Sequence, residues 1–218
     1  MPQAVEEALR TLHEFVGRPE FALELGEAKK NFYAMVGAPL PGEPLEEQRL
    51  SSFIEWFIFD RQLAATRRTP VEDYLRLHAD DLGGPLLAAL VGFTRTVHSV
   101  FQVKKRSGAQ VDLADLYTGL KHRGVSLVPV TLDVGDLAEL RIAPVDGAWY
   151  ATDSLCFHPF TARKQIMRMI KEARKQGKPV DQVVISLMLM NTRYERYPKT
   201  AKRTAYAVDG PLARLPGA

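Results

Sequence analysis

Phe53-Ile-Glu-Trp-Phe-Ile-Phe-Asp-Arg61 (FIEWFIFDR) packs large apolar side chains around Glu55, Asp60 and Arg61 within about two helical turns. The run is long enough for a helix and too apolar to lie on a surface, so it predicts the centre of a helical lobe. Phe53, Trp56 and Phe57 are expected to hold that lobe together. Glu55 in such a setting has its charged form disfavoured by desolvation, which would suit proton transfer, but a buried carboxylate is more often paired. Arg61 lies six residues on and does not share its face. Glu55 therefore needs a partner elsewhere, while Asp60 is placed to cap or pair locally.

Working outward, Val5, Ala8, Leu9, Leu12 and Phe15/Val16 recur at helical spacing and stop at Gly17, and Phe21 to Val36 repeats the pattern up to Gly37. The proline-rich segment from Ala38 to Pro44 reads as a loop. A helix is expected from Leu45 through the aromatic run to about Ala65, then a second one capped by Thr69 with Pro70, Glu72 and Asp73 in its first turn. Pro85 to Val91 closes the helical half.

The period changes near Thr94. Val97, Ser99, Phe101 and Val103 alternate as in a strand, and four more short strands are expected at Val111 to Leu116, Val125 to Val130, Leu137 to Pro144 and Ala148 to Phe157. Asp146-Gly147 is a hairpin signal. Short strands at this spacing suggest a small, strongly curved sheet or SH3-like barrel. From Thr161 an amphipathic helix returns, with Lys164, Arg168, Lys171 and Lys175 on one face and Ile166, Met169, Ile170 and Ala173 on the other. Val180 to Asn191 is apolar enough for a buried strand or helix, and its polar continuation to Tyr197 favours helix. Pro198 to Ala218 reads as an extended tail. The fold expected is α+β, divided into a helical lobe over residues 1–94, a small antiparallel β-domain over 95–160, and basic C-terminal helices over 161–218.

With 218 residues, 46% of them hydrophobic, the chain can bury a substantial core. No stretch is apolar for long enough to span a bilayer, and the acidic start lacks a secretory pattern, so a cytoplasmic location is expected. Cys156 is the only cysteine, which removes disulfides and cysteine-rich metal sites. The net charge of +3 conceals an asymmetry. Residues 1–99 carry 10 Lys/Arg against 15 Asp/Glu, whereas residues 159–218 carry 13 against 4. Such a basic third has an anionic partner or docks on its own acidic half.

No phosphate loop, dinucleotide fingerprint or kinase signature occurs. The five histidines share no metal-ligand spacing. His98 and Ser99 with a distant Asp115 lack the sequence of a nucleophile elbow, and a triad is recognised by geometry alone. Cys156 and His158 fall on one side of a strand, a two-ligand start for zinc whose remaining ligands the sequence does not supply. No cofactor, metal or catalytic residue is therefore assigned. Basic residues interleaved with Tyr194, Tyr197 and Tyr206 leave nucleic-acid binding as the alternative to a protein partner.

The phrases AKKNFYAMVG (28–37), FIEWFIFDR, TPVEDYL (69–75), TVHSVFQV (96–103), VDLADLYTG (111–119), GDLAELRIAPVDG (135–147), CFHP (156–159) and RYERY (193–197) together resemble a bacterial family best represented in deltaproteobacteria. The first half of the pattern is also similar to the region preceding SEC-C metal-binding tails. This chain lacks the cysteines of such a tail, so metal binding does not carry over. A fainter likeness is to RomY-like regulators of Ras-like polarity GTPases. The resemblance implies a non-enzymatic adaptor or regulator, with a small GTPase or its regulator as partner. The contact residues expected are Lys164, Arg168, Lys171, Lys175, Arg193 and Arg196.

Overall fold

The computed structural model describes residues 2–43, 46–127, 132–197 and 202–207. Five helices come first: α1 (Gln3–Val16), α2 (Ala22–Val36), α3 (Glu46–Phe59), α4 (Pro70–His78) and α5 (Gly84–Phe93). Five strands follow: β1 (Val97–Ser107), β2 (Gln110–Asp115), β3 (Lys121–Ser126), β4 (Leu137–Val145) and β5 (Ala148–His158). The chain closes with α6 (Arg163–Lys175), α7 (Val180–Arg196) and the short α8 (Lys202–Ala205). The expected mixed α+β architecture is present.

The helix signals act as read. Thr69 opens α4 in a capping box, the Glu72 carboxylate accepting the Thr69 backbone N–H at 2.8 Å and its hydroxyl at 3.0 Å. The aromatic helix ends earlier than its composition suggests. The N–H groups of Asp60 and Arg61 both turn back to the Trp56 carbonyl at 3.0 Å, and α3 stops at Phe59 rather than running to Ala65. A tight turn follows, with Leu63 N–H on the Arg68 carbonyl and Arg67 at φ 59°. Val180 to Asn191, open between strand and helix, is helix, because its buried residues Val183, Val184, Leu187, Met188 and Met190 fall on adjoining faces of one cylinder.

The strands form a closed barrel in the order β1-β2-β3-β5-β4. All neighbours pair antiparallel except β3 and β5, which meet in parallel at Ser126 and Tyr150. The SH3-like expectation is met only as far as a small closed barrel, since β3 neighbours β5 and not β4. Asp146 and Gly147, at φ 47° and 78°, turn β4 into β5 as the hairpin signal requires. The strand expected at Val125 to Val130 begins earlier, at Lys121, and residues 128–130 lie outside the described residues. The expected extended tail is not extended where it is described, since Lys202–Ala205 form α8 and Ala205 and Tyr206 are buried; the rest of it lies outside the described residues.

Phe101, Val103, Leu113, Val125, Leu140 and Ile142 fill the barrel. The alternate side chains of β1, β4 and β5 point out of it and are nevertheless buried, because α3 lies on β5, α5 on β4 and α7 on β1. Phe53 and Phe57 sit in the core of the helical lobe with Phe32 and Phe93, as expected. Trp56 departs from expectation, being half-buried at the edge of that core, against Phe32 and beneath the Arg61 guanidinium.

Candidate functional site

The outer faces of β4 and β5 are polar where an apolar seam would be expected under helices. Glu139 and Arg141 on β4, with Thr152, Ser154, Cys156 and His158 on β5, all lie buried there. The helix above answers with its own polar stripe. Gln48, Ser52 and Glu55 recur at i, i+4 and i+7 along α3 and each bonds β5: Gln48 to the Leu155 carbonyl, Ser52 to the Ser154 hydroxyl at 2.8 Å, Glu55 to Thr152 and Ser154.

Glu55 finds the partner that its own helix could not provide. Its carboxylate accepts the Thr152 hydroxyl at 2.8 Å and the Ser154 N–H at 2.6 Å, and Arg141 Nε stands 3.6 Å away. Burial pushes the carboxyl up to about 7 against the opposing pull of Arg141 and the two donors. Arg141 also donates to Asp60, to Thr96 Oγ1 at 2.8 Å and to His98 Nδ1 at 3.1 Å, and lies over the Phe59 ring. One guanidinium therefore gathers Glu55 and Asp60 of the aromatic run onto the barrel. Arg61 takes no part in it.

Because Arg141 donates to His98 Nδ1, that ring carries its proton on Nε2 and donates it to Glu139 Oε1 at 3.0 Å. Burial and the nearby Arg141 hold His98 well below its ordinary value, so it stays neutral. The imagined triad does not form. Ser99 faces the other side of β1 and donates to Asp115 Oδ1 at 2.7 Å, and Asp115 in turn accepts the N–H groups of Tyr117 and Thr118. That serine and aspartate hold a turn.

Glu139, Cys156 and His158 converge on one point, with a ligand-type atom from each within 4.8 Å of the others. Register brings them together: Glu139 pairs with Cys156, and His158 follows two residues on along the same face of β5. Cys156 and His158 were visible in the sequence as a pair. Glu139 was not, because its relation to them is set by strand pairing; the only local signal was a Glu and an Arg two apart in an otherwise apolar strand.

The basic residues of the C-terminal third divide into two groups. Lys164, Arg168, Lys171 and Lys175 are exposed along α6, and the row continues into apolar side chains that are also exposed, Phe160 at 66% and Met167 at 37%. A cavity of about 480 Å³ lies between α6 and α7, lined in part by Arg168, Met169, Glu172, Lys178 and Tyr206. Arg193 and Arg196, expected to extend this surface, do not. Arg193 is buried, and Arg196 forms a forked pair with Glu43 at 2.7 and 3.0 Å and bonds the Ala38 carbonyl at 2.7 Å. That pair holds the Glu43 carboxyl below its ordinary value. Hence α7 docks on the acidic half of its own chain, while α6 does not spend its charge this way. Tyr206 is also withdrawn from any surface role, buried against His158 Nδ1 at 2.9 Å.

No protein-family model matches this chain, and no curated protein or solved structure matches it either. Among the described residues, no helix is long and apolar enough to cross a membrane.

Proposed function

We propose that the protein is a non-enzymatic adaptor or regulator that binds an acidic surface of another protein through the outer face of α6. The observation that carries this reading is the row Phe160, Lys164, Met167, Arg168 and Lys171, where exposed apolar side chains alternate with cations that have been left to solvent. Aromatic, Met and Arg side chains are those enriched at protein interfaces, and a basic field around them steers an acidic partner. The resemblance to polarity regulators supplies a candidate partner class, a Ras-like GTPase or its regulator.

A second reading, nucleic-acid binding, has one observation in its favour. The strand order with a parallel β3–β5 contact is that of five-stranded Greek-key barrels, a group that includes many oligonucleotide binders. Against it, Tyr206, one of the aromatics expected to stack on bases, is committed inside the fold.

The two readings separate in one experiment: affinity capture from nuclease-treated cells with the wild-type chain and with the triple variant Lys164→Glu, Arg168→Glu, Lys171→Glu. A protein that is retained by wild type, lost from the variant, and rebinds the wild type when purified supports the proposal. In a parallel capture without nuclease, retention of nucleic acid by wild type with affinity falling steeply as salt rises supports the second reading. Identical capture by both chains removes α6 from either role.

A further inference from the structure

Two hydrogen-bond chains fix which lone pairs face the Glu139, Cys156 and His158 cluster. Tyr206 gives its hydroxyl proton to Asn191 Oδ1 at 3.3 Å, so it must accept from His158, whose Nδ1 lies 2.9 Å away. The proton is therefore on Nδ1, and His158 Nε2 is a bare lone pair. On the other side, His98 Nε2–H occupies Glu139 Oε1 and leaves Oε2 free. His158 Nε2 and Glu139 Oε2 are both buried without a hydrogen-bond partner, in residues only 4% and 2% exposed. Two buried polar atoms without partners beside a thiol are costly unless something fills the space between them.

We propose that Glu139 Oε2, the Cys156 thiolate and His158 Nε2 bind one zinc ion. The donor set, one sulfur, one imidazole nitrogen and one carboxylate oxygen, suits a borderline-soft divalent cation. One ligand-type atom from each residue lies within 4.8 Å of the others, and the three side chains must draw in by about 1 Å to reach the ~3.5 Å separations around tetrahedral zinc. The outer contacts are those a zinc site employs: His158 is oriented through its second nitrogen by Tyr206 and Asn191, and Glu139 is held by His98. On binding, Cys156 loses its thiol proton to solvent and the sulfur pair becomes the bond to the metal. Three protein ligands leave the fourth tetrahedral position for water.

The test uses the full chain, stripped with a chelator and titrated with Co²⁺ and then Zn²⁺. Uptake of one equivalent, with a sulfur-to-cobalt charge-transfer band that zinc displaces, is expected. Cys156→Ser should abolish the band, and Tyr206→Phe, which keeps every ligand, should weaken zinc binding about 10- to 100-fold. X-ray absorption of the zinc-loaded wild type should give a single sulfur neighbour, a readout independent of whether Cys156→Ser folds. No stoichiometric uptake, cobalt bound without the thiolate band, or a zinc shell lacking sulfur would overturn the proposal.

Discussion

Arg141 on β4 and Glu55 on α3 meet across the seam between barrel and helical lobe, with Nε 3.6 Å from Oε2 and both residues almost wholly shielded from water. Two backbone segments 86 positions apart are thereby clamped by one charge pair, supported on the Glu55 side by Thr152 and Ser154 and on the Arg141 side by Asp60, Thr96 and His98. The pair explains why a carboxylate persists within FIEWFIFDR.

Removing only one member should be severe. Arg141→Met leaves Glu55 buried without its cation and is expected to cost about 3–5 kcal/mol in urea unfolding, whereas the double variant Arg141→Met, Glu55→Gln should recover a substantial part of that loss. Equal destabilisation by single and double variants would show that the two side chains do not act as a pair.

Stability should also depend on pH through Glu55. Its folded value of about 7 lies above the 4.5 of an exposed glutamate, so between these limits the unfolded chain has released a proton that the folded chain retains. The Glu55 contribution to the native state is therefore lost as pH climbs from about 4.5 past 7, by up to about 3 kcal/mol, and Glu139, pushed up to about 8 by burial, acts in the same direction. Denaturation of Glu55→Gln at pH 5, 6.5 and 8 should give a flatter profile than wild type.

Two glycines in helices should respond in opposite directions to alanine. A Cβ at Gly92 on α5 would fall 2.2 Å from the Pro144 carbonyl oxygen and 2.9 Å from Val145 Cγ2, so Gly92→Ala forces α5 off β4 and should destabilise by about 1–3 kcal/mol. Gly26 on α2 meets nothing within 4 Å, and Gly26→Ala should stabilise by about 0.5–1 kcal/mol. Melting temperatures of the two variants would read both effects at once.

Phe57 and Trp56 are adjacent and equally aromatic, yet they should differ. Phe57 is fully buried, and Phe57→Ala should cost about 3–5 kcal/mol. Trp56 keeps one side toward solvent and Arg61, so Trp56→Ala should cost less than half as much. Chemical denaturation of the pair tests the assignment of core and edge.

Signals along the chain were enough for the local elements. Apolar spacing, Gly17 and Gly37 as stops, the Thr69 cap, the Asp146-Gly147 turn and the change of period near Thr94 all act within a few residues, so each could be read from neighbours along the chain. The sequence also indicated that Glu55 needed a distant partner and that Cys156 and His158 share a side. Everything that depends on pairing across the chain emerges in the folded molecule: the order of strands, the meeting of Arg141 with Glu55, the addition of Glu139 to Cys156 and His158, and the withdrawal of Arg193 and Arg196 from the surface. Strand register and helix docking are selected by the total burial of both partners. A one-residue shift in register would send Glu139 and Arg141 into the apolar barrel, a cost that no local stretch of sequence records.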